Sequence, residues 1–126
     1  MAVVQGQLSV MQALSALASN SWHSFLYSPS LDLFKAGSTD HWHEIDIPAV
    51  ANGDFVVGEV KGGERAVTER DFSELGEVAE ALRPQRAIMF LPNENVTQEV
   101  MAWLEQMKAR LNPLGITSQI FALPSF

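Results

Sequence analysis

The chain contains no cysteine, which excludes disulfide frameworks, thiolate zinc sites and thiol nucleophiles. Basic residues are scarce: 8 Lys+Arg stand against 15 Asp+Glu in 126 residues, a formal net charge of −7 with His neutral. That balance argues against broad, non-specific nucleic-acid binding, which needs clustered Lys or Arg. No apolar run approaches the roughly 20 residues needed to span a bilayer, so no membrane partner is expected. A Gly-rich phosphate loop of the Walker or dinucleotide type is missing, and no serine sits in a nucleophile-elbow context. What is present is 47% hydrophobic and 18% charged, the composition of a folded domain. A chain of this length can bury about two-thirds of its unfolded surface without disulfide or metal staples, which suits one domain over residues 1–126.

Residues 8–18 are apolar enough to suggest a signal sequence, but no Lys or Arg precedes them and Gln12 interrupts the run. Val4, Leu8, Met11, Leu14 and Ala18 recur at helical spacing and predict an amphipathic helix instead. A cytoplasmic location is the corresponding expectation.

Extended segments follow over residues 25–27 and 31–34, interrupted by Ser28-Pro29-Ser30. Two strands are predicted over 43–50 and 55–61, joined at Asn52-Gly53, because a two-residue type I′ turn needs positive φ at both central positions. Thr68-Glu69-Arg70-Asp71 reads as a capping box opening a helix whose Phe72, Leu75, Val78, Ala79 and Leu82 share a face. Pro84 ends it. Residues 86–91 form a short continuous apolar run, the pattern of a strand buried on both sides. A second helix over 95–111 carries a stripe of Val96, Val100, Leu104, Met107 and Leu111, and a last strand spans 116–123. The predicted order αβββαβαβ implies an α/β fold with a mixed sheet flanked by helices.

The hairpin yields the most specific expectation. With a two-residue turn at Asn52-Gly53, Asp46 falls opposite Glu59 and Glu44 opposite Lys61, all four on one face. Ile45, Ile47, Val56, Gly58 and Val60 fall on the other. Two facing carboxylates with Cβ atoms about 5 Å apart repel each other and call for a cation. Lys61 is one candidate. Mg²⁺ or Mn²⁺ is the other, bound by Asp46, Glu59 and the Val60 carbonyl, with waters and phosphate oxygens completing its shell. His41 and His43 also share a face, but without a third ligand beside them they read as packing residues.

The segment Glu44-Ile45-Asp46 followed by Glu59-Val60-Lys61 resembles the D…ExK core of the PD-(D/E)XK, or restriction-endonuclease-like, nuclease superfamily. The family core is αβββαβ, so the resemblance extends to the order of elements over most of residues 7–123, with a further helix and strand added. It implies a Mg²⁺-dependent nuclease hydrolysing phosphodiester bonds of DNA, with Asp46, Glu59 and Lys61 catalytic. Asp46 and Glu59 would hold the metal and Lys61 would position the attacking water. A homodimer is the expected assembly. Arg65 and Arg70, with Arg83 and Arg86, are candidates for phosphate contacts, and Glu44 borders the same substrate site.

Two features depart from the family pattern. The first acidic residue of the chain is Asp32, so the first helix offers no carboxylate, and Glu74, Glu77 or Glu80 would have to supply a third. The helix after the ExK strand also lacks the glutamine–tyrosine signature of one branch of the family. The alternative expectation is therefore an inactive nuclease-fold module for binding or oligomerisation, with the apolar last strand as its pairing edge.

Overall fold

The structure, a computed structural model, describes residues 13, 25–27, 31–34, 41–61 and 66–124, and for 25–27, 31–34 and 41–44 it describes the backbone. The elements are β1 (Phe25–Tyr27), β2 (Leu31–Phe34), β3 (His41–Ile45), β4 (Ile47–Ala51), β5 (Asp54–Val60), α1 (Glu69–Leu82), β6 (Arg86–Pro92), α2 (Gln98–Leu111) and β7 (Thr117–Leu123). A five-stranded sheet has the order β1-β4-β5-β6-β7, and β2-β3 form a separate pair. The β1–β4 and β4–β5 pairings are antiparallel, while β5–β6 and β6–β7 are parallel, so the sheet is mixed and the fold is α/β. The predicted first helix lies outside the described residues except for Ala13, which is fully buried.

The turn chemistry is realised as predicted. Asn52 and Gly53 have φ of 54° and 83°, and the ladder closes on Ala51↔Asp54 and runs to Ile47↔Gly58. Positive φ at both central residues gives the turn a twist that matches its flanking strands.

The predicted strand over 43–50 is broken at Asp46, which is a bend between β3 and β4. Paired residue numbers add to 76 in the β1–β4 ladder and again from Leu31↔Ile45 to Leu33↔His43. The two ladders therefore share one antiparallel frame, with Asp46 as the bend between β3 and β4. At this bend the β2–β3 pair separates from the five-stranded sheet, while β4 continues beside β5 from Ile47↔Gly58.

Two expectations are corrected by this bend. Ile45 packs with Val57 and Val78, on the face covered by α1, whereas Ile47 packs with Ala13, Ala49, Val56 and Ile88 on the opposite face. The two isoleucines thus do not share a face. Glu44 pairs along the backbone with Asp32, not with Lys61, because the hairpin ladder has already ended at Ile47↔Gly58.

Both helices cover one face of the sheet. Phe72, Leu75 and Ala79 of α1 and Val100, Leu104, Met107 and Leu111 of α2 enclose Ala87, Met89 and Leu91 of β6. Ile88 and Phe90 point to the other face, with Ala13 and Leu123. The continuous apolar run in β6 is accordingly buried on both sides, as predicted. Across the helix pair, Arg110 of α2 donates Nη1 to the Ser73 carbonyl at 3.3 Å and pairs with Glu80. Gly76 admits that guanidinium, since a Cβ there would lie 3.1 Å from Nη1.

Helix ends follow their local sequence. Asp71 Oδ2 accepts the Thr68 N–H at 2.8 Å at the start of α1, and the left-handed Arg83 (φ 54°) closes the helix before Pro84. The second helix begins at Gln98, later than the predicted residue 95. Thr97 caps it by accepting the Val100 N–H at 3.2 Å, and Asn93–Asn95 form a 3-10 turn. A Ser, Thr, Asp or Asn cap outcompetes simple continuation of an apolar stripe because it satisfies an otherwise orphaned amide.

Candidate metal and phosphodiester site

The carboxyl end of β5 brings three of the predicted residues together. Asp46 lies in the bend between β3 and β4, and its Oδ2 accepts the Val60 N–H at 3.0 Å. That contact joins the bend to the end of β5, beyond the last regular pair of the hairpin. The expected direct ladder pairing of Asp46 with Glu59 is thus replaced by side-chain contact. A straight strand would have set the two carboxyls facing each other; the bend lets Asp46 reach across the strand end.

Glu59 shares the helix-covered face with Val57, and its neighbour across β6 is Met89. Its carboxyl is pushed up from 4.5 to about 9, first by burial, then by the Asp46 charge and by the hydrogen bond that its protonated form gives to the Asp46 side chain. Lys61 opposes the shift, as does the Asp46 backbone N–H. At neutral pH Glu59 therefore carries a proton. Two carboxyl groups in contact in a poorly solvated place cannot both be charged unless a cation joins them.

Lys61 follows directly. Its N–H donates to the Phe90 carbonyl at 3.0 Å, which fixes its backbone to β6. Its Nζ lies 3.7 Å from Asp71 Oδ1 in the first turn of α1, with about a third of the lysine side chain exposed. Asp71 is the site residue that sequence reasoning missed: the capping-box pattern identifies it as a helix cap, but nothing local reveals that its second oxygen meets a lysine ten positions earlier.

The candidate third acids are engaged elsewhere. Glu74 accepts from Arg70 Nε at 2.9 Å, Glu80 pairs with Arg110, and Glu77 has an interaction of its own. No group of three or more His, Cys, Asp or Glu side chains converges among the described residues. The groups here that could hold a metal are the Asp46 and Glu59 carboxyls and the Val60 carbonyl. That set suits Mg²⁺, which binds one or two carboxylates and keeps several waters for exchange with phosphate oxygens.

The arginines separate into two ends. Arg70 is at the start of α1, on the same end as Lys61, and is largely exposed. Arg83 closes α1 at its far end, beside Gln85, whose N–H donates to the Phe55 carbonyl near the start of β5. Arg86 opens β6 and faces Asp54 at 4.0 Å. It pairs along the ladder with Val56, three residues before Glu59, or about 10 Å along the strand. Arg83 and Arg86 therefore do not flank the carboxyl pair. Arg65 and the side chains of Glu44, His41, Trp42 and His43 lie outside the described residues.

None of the described helices is long and apolar enough to cross a membrane. Comparison of the chain with protein-family models and with curated proteins finds no match.

Proposed function

We propose that the protein is a divalent-metal-dependent phosphodiester hydrolase of the PD-(D/E)XK type, acting on DNA, with Asp46 and Glu59 holding Mg²⁺ or Mn²⁺ and Lys61 positioning the attacking water. The observation that carries this proposal is the Asp46/Glu59 carboxyl pair at the end of β5, with Asp46 held by the Val60 N–H and Lys61 two residues beyond Glu59. A divalent ion bound there lowers the pKa of a coordinated water and offsets charge on the phosphoryl oxygens. Glu59 would hold the cation as a carboxylate, its proton passing to solvent, and Asp46 keeps its orientation through the Val60 N–H. The Lys61 ammonium donates to the nucleophilic water or to a phosphate oxygen as negative charge develops. Arg70, on the same end, contributes phosphate contact, as would Arg65.

The acidic net charge is compatible with this function. A bound dication reverses the local sign where a phosphate approaches, so the protein needs no long basic groove. The same charge makes binding weak and metal-dependent.

A second function, that of an inactive nuclease-fold module, is favoured by one observation: no third carboxylate converges on the pair among the described residues. Plasmid nicking with Mg²⁺ or Mn²⁺ separates the two. The hydrolase nicks, and Lys61→Ala lowers the rate about a hundredfold. Absence of nicking in the wild type, or equal rates in both proteins, leaves the inactive module.

A further inference from the structure

We propose that Asp71 is a positioning residue that holds the Lys61 ammonium in place, an inference that rests on the proposed role of Lys61. Its carboxylate spans two elements. Oδ2 accepts the Thr68 N–H at 2.8 Å, which fixes the carboxylate to the start of α1. Oδ1 faces Lys61 Nζ at 3.7 Å, and the Asp71 side chain is 19% exposed. Phe72 and Leu75, in the next turn of the helix, are buried against β6, so the start of α1 is a fixed platform.

The lysine is thereby held from both ends. Its backbone is tied to Phe90 of β6 at 3.0 Å, and its charged end is directed toward Asp71. An unpaired lysine distributes its ammonium over many rotamers, whereas positioning a water requires one narrow placement. Electrostatics point the same way. The N-terminus of a helix is a region of positive potential, which would repel a nearby ammonium. A carboxylate placed between them converts that repulsion into attraction at both its oxygens.

The capping function alone would not require a carboxylate, since an amide oxygen can also accept the Thr68 N–H. Asp71→Asn therefore separates the two roles, preserving the cap while deleting the charge that faces Lys61. Two readouts are made on wild type and Asp71→Asn: the NMR order parameter of the Lys61 Nζ group, and plasmid nicking with Mg²⁺ resolved into kcat and KM. Asp71→Asn keeps its unfolding midpoint, loses order at Lys61 Nζ, and loses about ten- to a hundredfold in kcat with KM unchanged. In a Lys61→Ala background the same substitution has no further effect on kcat. An unchanged Lys61 Nζ order parameter overturns the proposal, and so does an equal kcat loss with and without Lys61. If the wild type does not nick, the hydrolase function fails by itself, and the order parameter still decides whether Asp71 positions the ammonium.

Discussion

Asp46 Oδ2 accepts the Val60 N–H at 3.0 Å across the bend between β3 and β4, which sets the Asp46 carboxyl beside that of Glu59. Burial and the Asp46 charge push the Glu59 carboxyl up to about 9, so it holds its proton at neutral pH.

Folding stability should fall as pH rises through the range in which Glu59 holds its proton in the folded state alone. The folded value is about 9 against an ordinary 4.5, so between them the native protein binds a proton that the unfolded chain has released. By linkage the stabilisation from this group is fully present below about pH 4.5 and is lost as pH climbs through about 9. Urea denaturation across this range should show the decline in wild type and a flatter profile in Glu59→Gln. Matching profiles in the two proteins contradict the assignment.

Two glycines of the hairpin should respond differently to alanine. At Gly58 a Cβ would lie 2.8 Å from Phe90 Cε2 and 3.3 Å from Ile47 Cβ, inside a filled part of the core. Gly58→Ala should cost about 1–3 kcal/mol through overpacking. At Gly53 nothing lies within 4 Å, but φ is +83°, so Gly53→Ala costs about 1 kcal/mol from backbone strain alone. Adding bulk separates them: Gly58→Val is worse than Gly58→Ala by urea denaturation, whereas extra side-chain size at residue 53 meets no neighbour.

DNA affinity should depend on which end of α1 loses an arginine. Arg70→Ala, at the Lys61 end, should weaken duplex binding measured by fluorescence anisotropy in Mg²⁺ and lower the salt slope by about 1. Arg83→Gln, at the opposite end, should leave both unchanged. Equal losses at the two ends would place the DNA elsewhere.

Much of this architecture was legible in the sequence because its signals are local. Asn52-Gly53 sets the hairpin register, the stripe from Phe72 to Ala79 sets the buried face of α1, and the uninterrupted run in β6 announces burial on both sides. The bend at Asp46 was not legible in the same way. It shows only in the pairing, where β3 leaves the main sheet to pair with β2, and alternation along a single strand carries no trace of it. The site illustrates the same division. Asp46, Glu59 and Lys61 come from one hairpin and could be placed together by register, whereas Asp71 joins them only through the docking of α1 on the sheet.

Calorimetric titration of the protein with Mg²⁺ at neutral pH, repeated in buffers of different ionisation enthalpy and on Asp46→Asn, reports directly on the carboxyl pair. Saturable binding should release about one proton, the one held by Glu59, and should vanish in Asp46→Asn. No saturable binding in the wild type, or binding that Asp46→Asn leaves intact, would contradict a metal site at Asp46 and Glu59.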